Sequence, residues 1–218
     1  MAVKLLIGVI GLGKFGFWFG KHLSEMGHDV LGVDINPDNV KRARHVFTQV
    51  YQADAMDKEA LKQIGFTDVH HALISVGESI SASTMIAMYL KELGLANVWV
   101  KAIHSDHKKL LNKIGVGHVI IPGQVAARQL ANRMAIPGFI DYLPFDRNMV
   151  LKELTVKEWA GQTLREIDLT NRFNIQVIAI KKAGDSRFRF IPKANDTVGK
   201  GDTLVVIGPS GDLSEIKS

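Results

Sequence analysis

From Lys4 the chain runs through Leu5-Leu6-Ile7-Gly8-Val9-Ile10, apolar without alternation, as a strand buried on both faces of a sheet is. Similar short runs follow at Asp29 to Val33, Val46 to Tyr51, His70 to Ser75, Asn97 to Ala102 and His118 to Pro122. Helices are predicted between them, from Phe15 to Met26, Pro37 to Arg44, Asp57 to Ile64, Ile80 to Leu93 and Asp106 to Ile114, with one more from Gln124 to Met134. Pro37 suits a first helical turn, where its missing N–H costs nothing, and Gly65, Gly94 and Gly115 stand where helices stop. Strands alternating with helices in this way predict an α/β fold, a Rossmann-like doubly wound parallel sheet.

Past Pro137-Gly138 the pattern changes. Met149 to Val156 alternates, a short helix is expected towards Ile167, and Ile175 to Ile180 reads as a strand. Gly184-Asp185 with Phe188-Arg189-Phe190 reads as a hairpin, Thr203 to Gly208 as a last strand, and a short helix is expected at the end. The expected organisation is therefore a nucleotide-binding domain over 1–138 and a small α+β C-terminal domain over 139–218.

Composition narrows the chemistry. A chain of 218 residues without cysteine has no disulfide, thiolate metal site or cysteine nucleophile, and suits a reducing cytoplasm. Net charge is +5, but Lys and Arg are scattered among acidic residues, so no nucleic-acid surface is expected. The apolar start breaks at Gly8, which argues against a signal peptide, and no run approaches the ~20 apolar residues of a membrane span.

The chemistry-bearing stretch is Gly11-Leu12-Gly13-Lys14-Phe15-Gly16, a G-x-G-x-x-G directly after the first strand. Gly11 permits a tight turn, Gly13 lets backbone N–H groups approach a pyrophosphate, and Gly16 lets the helix lie close to the sheet. Asp34 ends the second strand, where a carboxylate accepts both ribose hydroxyls of an adenosine and repels a 2′-phosphate. Asp54 and Ala55 end the third strand, on the adenine side; Asp54 serves equally as a helix-capping residue. Ser75-Val76-Gly77 forms a second small-residue loop, either a pocket floor or an ordinary turn. Lys101 ends the fifth strand, as a phosphate partner or a plain exposed lysine. His104, Asp106 and His107 lack a further ligand at recognisable spacing, so no metal site is expected.

Taken together, Gly11 to Gly16, Val33-Asp34-Ile35-Asn36, Ala53-Asp54-Ala55, Ser75-Val76-Gly77-Glu78, Val100-Lys101-Ala102, Lys113-Ile114-Gly115 and Ile120-Ile121-Pro122 resemble the TrkA/Ktr family. These are cytosolic regulatory subunits of potassium-uptake systems, built of RCK (regulator of K⁺ conductance) domains. The resemblance spans nearly the whole chain. It implies dimers building an octameric ring, cytoplasmic and peripheral at the inner face of the cell membrane, docked on a TrkH/KtrB-like potassium-translocating subunit. ATP, ADP, NAD or NADH in the ring would alter its shape and so the gate, without catalysis. By position, the resemblance gives Asp34 and Ile35 the ribose, Asp54 and Ala55 the adenine, and the glycine loop the phosphates.

The chain departs from the family at three places. Lys14 stands where an Arg commonly senses the terminal phosphate, and Lys lacks the bidentate fork. Gly123 replaces the Glu that helps hold an interfacial cation, so that site is expected to be missing. At the positions that hold cyclic di-AMP in the family's small domain stand Leu164-Arg165, Asp168 and Thr170, with Arg in place of one apolar residue and Thr in place of the Arg.

Two other functions use the same loop. An NAD-dependent oxidoreductase needs an acid/base such as His, Lys or Tyr beside the nicotinamide, yet beyond Pro137 there is no His, the one Tyr is Tyr142, and the Lys residues sit in alternating or turn-like stretches. A nucleotide sensor acting on another transporter would differ only in what it touches.

Overall fold

The computed structural model describes residues 3–77, 79–135, 139–143 and 146–211. It divides into two compact units, Met1–Val125 and Ala126–Ser218. In the first, strands β1 (Leu6–Ile10), β2 (Asp29–Asp34), β3 (Gln49–Gln52), β4 (His71–Ile74), β5 (Val98–Lys101) and β6 (His118–Ile120) alternate with helices α1 (Lys14–Glu25), α2 (Pro37–Ala43), α3 (Lys58–Ile64), α4 (Ile80–Glu92) and α5 (Ser105–Lys113). All strand pairs are parallel, in the order β3-β2-β1-β4-β5-β6. The chain builds outward from β1 to β3, then returns to start again on β1's other side. That reversal opens a crevice beyond the carboxyl ends of β1 and β4.

Alternation along the strands supplies both faces of the sheet. Ile10, Leu31 and Val33 join one apolar cluster with Phe66, Ile86 and Leu111. Val9 and Val30 join the other, with Leu12, Ala43 and Phe47. Phe47 marks a departure from the expected elements. Residues 44–48 form turns, and β3 begins only at Gln49, because the Phe47 ring fills a slot left by two glycines. A Cβ on Gly20 would collide with the ring, and one on Gly32 would lie 2.8 Å from its Cδ2.

Pro122 starts helix α6 (Pro122–Ala135) instead of closing the sixth strand, the first-turn placement that proline favours. Helix α6 carries the chain from one unit into the other. The boundary expected at Pro137-Gly138 falls on residues outside those described.

The second unit is an antiparallel sheet of β7 (Phe139–Leu143), β8 (Asp146–Thr155), β9 (Gln176–Lys181), β10 (Arg189–Phe190) and β11 (Thr203–Pro209), in the order β10-β9-β11-β8-β7. Two short helices, α7 (Leu164–Ile167) and α8 (Leu169–Phe173), pack Ile167 and Leu169 into its core beside Leu154, Ile175 and Leu204. Thr163 and Glu166 form a reciprocal capping box at the start of α7. Asp202, 3% exposed, accepts from Lys182 Nζ and from the N–H groups of Ala183 and Gly199, tying its own turn to the one after β9. The terminal helix expected after Gly208 lies largely outside the described residues.

Candidate functional site

The turn out of β1 is locked between its neighbours. Gly11 N–H donates to Val33 O at 2.8 Å, and Ser75 N–H donates to Ile10 O at 2.7 Å, so β2 and β4 grip the carboxyl end of β1 from both sides. Gly11 has φ +88°, and a Cβ there would lie 2.5 Å from Ser75 O. A Cβ on Gly16 would strike Gly11 O, which is how closely α1 crosses the turn. Gly13 is different: a Cβ there would meet nothing within 4 Å, because the position faces open space.

Helices α2, α3, α4 and α5 open on side-chain caps from Asn36, Asp57, Ser79 and His104. Helix α1 opens on Gly13 with no side-chain cap and no acidic residue in its first turn. Its leading N–H groups and the positive end of its dipole are left for an external anion.

Asp34 holds the other end of the loop. Its Oδ2 accepts Leu12 N–H at 2.6 Å and Asn39 Nδ2 at 3.0 Å, while Oδ1 accepts Asn36 N–H at 2.8 Å. Arg42 Nη2 donates to Leu12 O at 2.6 Å and to Asn39 Oδ1 at 3.2 Å, with its guanidinium 4.6 Å over the Phe17 ring. A carboxylate offers about four lone-pair sites, so three donors leave Asp34 room for one more, on Oδ1.

A crevice of about 280 Å³ lies among these groups. Of the residues singled out in the sequence, Gly11, Gly13, Asp34 and Ile35 line it, as do Asp54, Ala55 and the loop Ser75-Val76-Gly77. Asp54 also plays its alternative part: its Oδ1 accepts Met56 N–H at 2.9 Å in the turn before α3. The structure does not bring the others to the crevice wall. Leu12 is fully buried in the core and its amide is spent on Asp34; Lys14, Phe15 and Gly16 lie along α1; Lys101 sits opposite Ile120 in the β5–β6 pairing.

Sequence reasoning missed Asn39, Met56, Ala82 and Ile86, which also line the crevice. Asn39 and Met56 each follow a predicted strand-end acid by a few residues, the one signal available. Ala82 and Ile86 lie on α4, whose apolar, Met-rich sequence reads as core or subunit interface.

The far side of α4 is fixed by a buried polar bond. Ser83 Oγ lies 3.0 Å from His107 Nε2, both residues being at most 2% exposed. His107 Nδ1 accepts Ile103 N–H at 3.3 Å, so the ring's proton is on Nε2 and points at Ser83. Ser83 Oγ in turn shares its one hydrogen between Ser79 O and Ile80 O. Burial, with His104 nearby, holds the His107 pKa below its ordinary value. His104 caps α5 by accepting His107 N–H at 3.3 Å. Among the described residues no group of three His, Asp or Glu is placed to hold a metal ion.

In the second unit, Asp168 adopts φ +52° between α7 and α8 and accepts Asn171 Nδ2 at 2.7 Å. Thr170 Oγ1 is bonded to Ile175 O at 3.2 Å. Among the described residues, no helix is long and apolar enough to cross a membrane.

Residues 7–122 match the TrkA-N domain, and residues 151–218 match the TrkA-C domain. Ktr system potassium uptake protein C of Bacillus subtilis (strain 168) is 32% identical over 216 residues, 99% of this chain and 97% of the relative. Ktr system potassium uptake protein A of the same organism is 29% identical over 96% and 94% of the two chains. Among solved structures, the GsuK channel bound to NAD is similar in fold, with a TM-score of 0.64 at 18% identity. That match takes in 97% of this chain and 38% of the GsuK chain. With both domain matches and a relative of this similarity along its whole length, the chain belongs to the TrkA/Ktr family of potassium-uptake proteins.

Proposed function

We propose that the chain is a nucleotide-binding regulatory subunit of a potassium-uptake system. An adenine nucleotide, ATP/ADP or NAD(H), occupies the crevice between β1, β2 and β4. The uncapped start of α1 takes its phosphates, Asp34 its ribose, and the wall around Asp54 and Ala55 its adenine. The observation that carries this reading is the pairing of that bare helix terminus with a carboxylate on the wall of the same crevice. The unit Met1–Val125 binds the nucleotide, and the smaller unit after it contributes to assembly and effector sensing.

The site binds and does not catalyse. Among the described residues, the crevice wall carries no His, Lys or Tyr to exchange a proton beside a hydride donor, and its two carboxylates already accept backbone N–H groups. The output is a shape change in a ring of copies, an octamer built of dimers, lying on the cytoplasmic face of a TrkH/KtrB-like potassium-translocating subunit. Helix α6, with no buried residue and with Val125, Leu130 and Met134 exposed, supplies apolar surface for that self-association. A ligand shifts the ring only by its differential affinity for two shapes, about 1–3 kcal/mol per site for a useful switch.

Calorimetric titration with ATP, ADP, NAD and NADH tests the reading, run beside potassium flux through the co-purified membrane partner. Tight binding that Asp34→Ala weakens by more than roughly tenfold, with flux that follows occupancy, is expected. Equal affinity in both proteins overturns the ribose assignment.

A further inference from the structure

The two hydroxyls of an adenosine ribose need two partners, and Asp34 has one acceptor site left. Asn39, on the first turn of α2, lines the same crevice. Its amide is held in one orientation by its neighbours. Arg42 can only donate, so it fixes Asn39 Oδ1 towards itself; Asp34 can only accept, so it fixes Nδ2. Of the two hydrogens on Nδ2, one goes to Asp34, and the other has no partner among the described residues.

We propose that Asn39 is a second ribose-recognition residue, donating this remaining hydrogen to one ribose hydroxyl while Asp34 accepts from the other, with Arg42 as the residue that orients it. The inference rests on the crevice being a nucleotide site, as proposed above. It assigns Asn39 the selection of ribose over deoxyribose. Arg42 acts at a distance: held over Phe17 and bonded to Leu12 O, it links α2 to the glycine turn and keeps the Asn39 amide from flipping.

The test is calorimetry with ADP and with NAD, each beside its 2′-deoxyadenosine and 3′-deoxyadenosine counterpart, on wild type, Asn39→Ala, Arg42→Ala and Arg42→Lys. Wild type prefers each ribonucleotide to both deoxy forms by roughly fivefold or more, about one hydrogen bond's worth. In Asn39→Ala the penalty for one deoxy form falls below about twofold, while the other stays near its wild-type value. Arg42→Ala moves the same ratio in the same direction, and Arg42→Lys restores part of it.

If Asn39 merely braced Asp34, Asn39→Ala would weaken ribo- and deoxynucleotides alike and leave both ratios unchanged, which overturns the inference but leaves the nucleotide site standing. If wild type takes up neither ADP nor NAD, the proposed function fails first and the inference with it. Both positions, 39 and 42, are partly or fully exposed on a short helix, where alanine and lysine are good helix formers, and coincident thermal melts confirm that the three variants fold.

Discussion

Asp34 Oδ2 accepts the Leu12 backbone N–H at 2.6 Å, so the end of β2 and the turn leaving β1 form one hydrogen-bonded unit. A residue expected to face a ligand is thus also the clasp of the loop that would carry the phosphates. Removing the carboxylate frees Leu12 N–H while leaving the backbone bond between Gly11 and Val33 in place. In Asp34→Ala, hydrogen exchange at the Leu12 amide is expected to quicken by roughly tenfold or more, with the amides of β1 itself unchanged. Unaltered exchange at Leu12 would mean that the clasp does not hold the turn.

The glycines of the loop separate stability from binding. Gly16→Ala drives a Cβ into the Gly11 carbonyl, where the obstacle is backbone and cannot rotate away, and a loss of about 3 kcal/mol is expected. Gly13→Ala meets no protein atom, and its φ of −60° suits alanine, so its melt stays within about 0.5 kcal/mol of wild type. The added methyl nevertheless intrudes on the crevice, and nucleotide affinity falls by roughly tenfold. Denaturant melts and calorimetry on the two variants check both halves; a Gly13→Ala protein that binds normally would move the phosphates elsewhere.

His107 makes stability depend on pH. Its folded pKa lies below the ordinary 6.5, because burial and then the neighbouring His104 disfavour the charged ring. Between the unfolded and folded values, the unfolded chain binds the extra proton. Stability is therefore full above about 6.5 and is lost as pH falls through the lower folded value. Urea midpoints should drop as pH falls below about 6.5, and His107→Gln should flatten that slope at some cost in stability. An equal slope in the variant would assign the pH dependence to other groups.

Much of this was legible in the chain itself, and the failures have physical causes. The buried run before Gly11 and the spacing to Asp34 identified the sheet, the turn and two parts of the crevice wall, because unbroken apolar strands and the glycine turn leave local signatures. Strand β3 was drawn too long, because β propensity at Val46 and Phe47 cannot reveal that the Phe47 ring is wanted between two helix and strand glycines. Helix α8 went unseen because the break before it is made by Asp168 at positive φ, where neither Gly nor Pro marks the turn. Arg42 was missed because it reaches Leu12 across 30 positions of sequence, which no window records, and Asn39 because nothing in its local sequence shows its amide held between Asp34 and Arg42. Lys101 carried the right charge at the right end of a strand, but β5 lies one strand beyond the crevice.

The ring of Phe47 between Gly20 and Gly32 makes these three positions one unit of evolutionary change. A lineage cannot give either glycine a side chain while keeping the large aromatic, nor shrink the aromatic without opening a void beside α1. Divergence here must proceed by paired exchange, bulk gained at 20 or 32 being matched by bulk surrendered at 47.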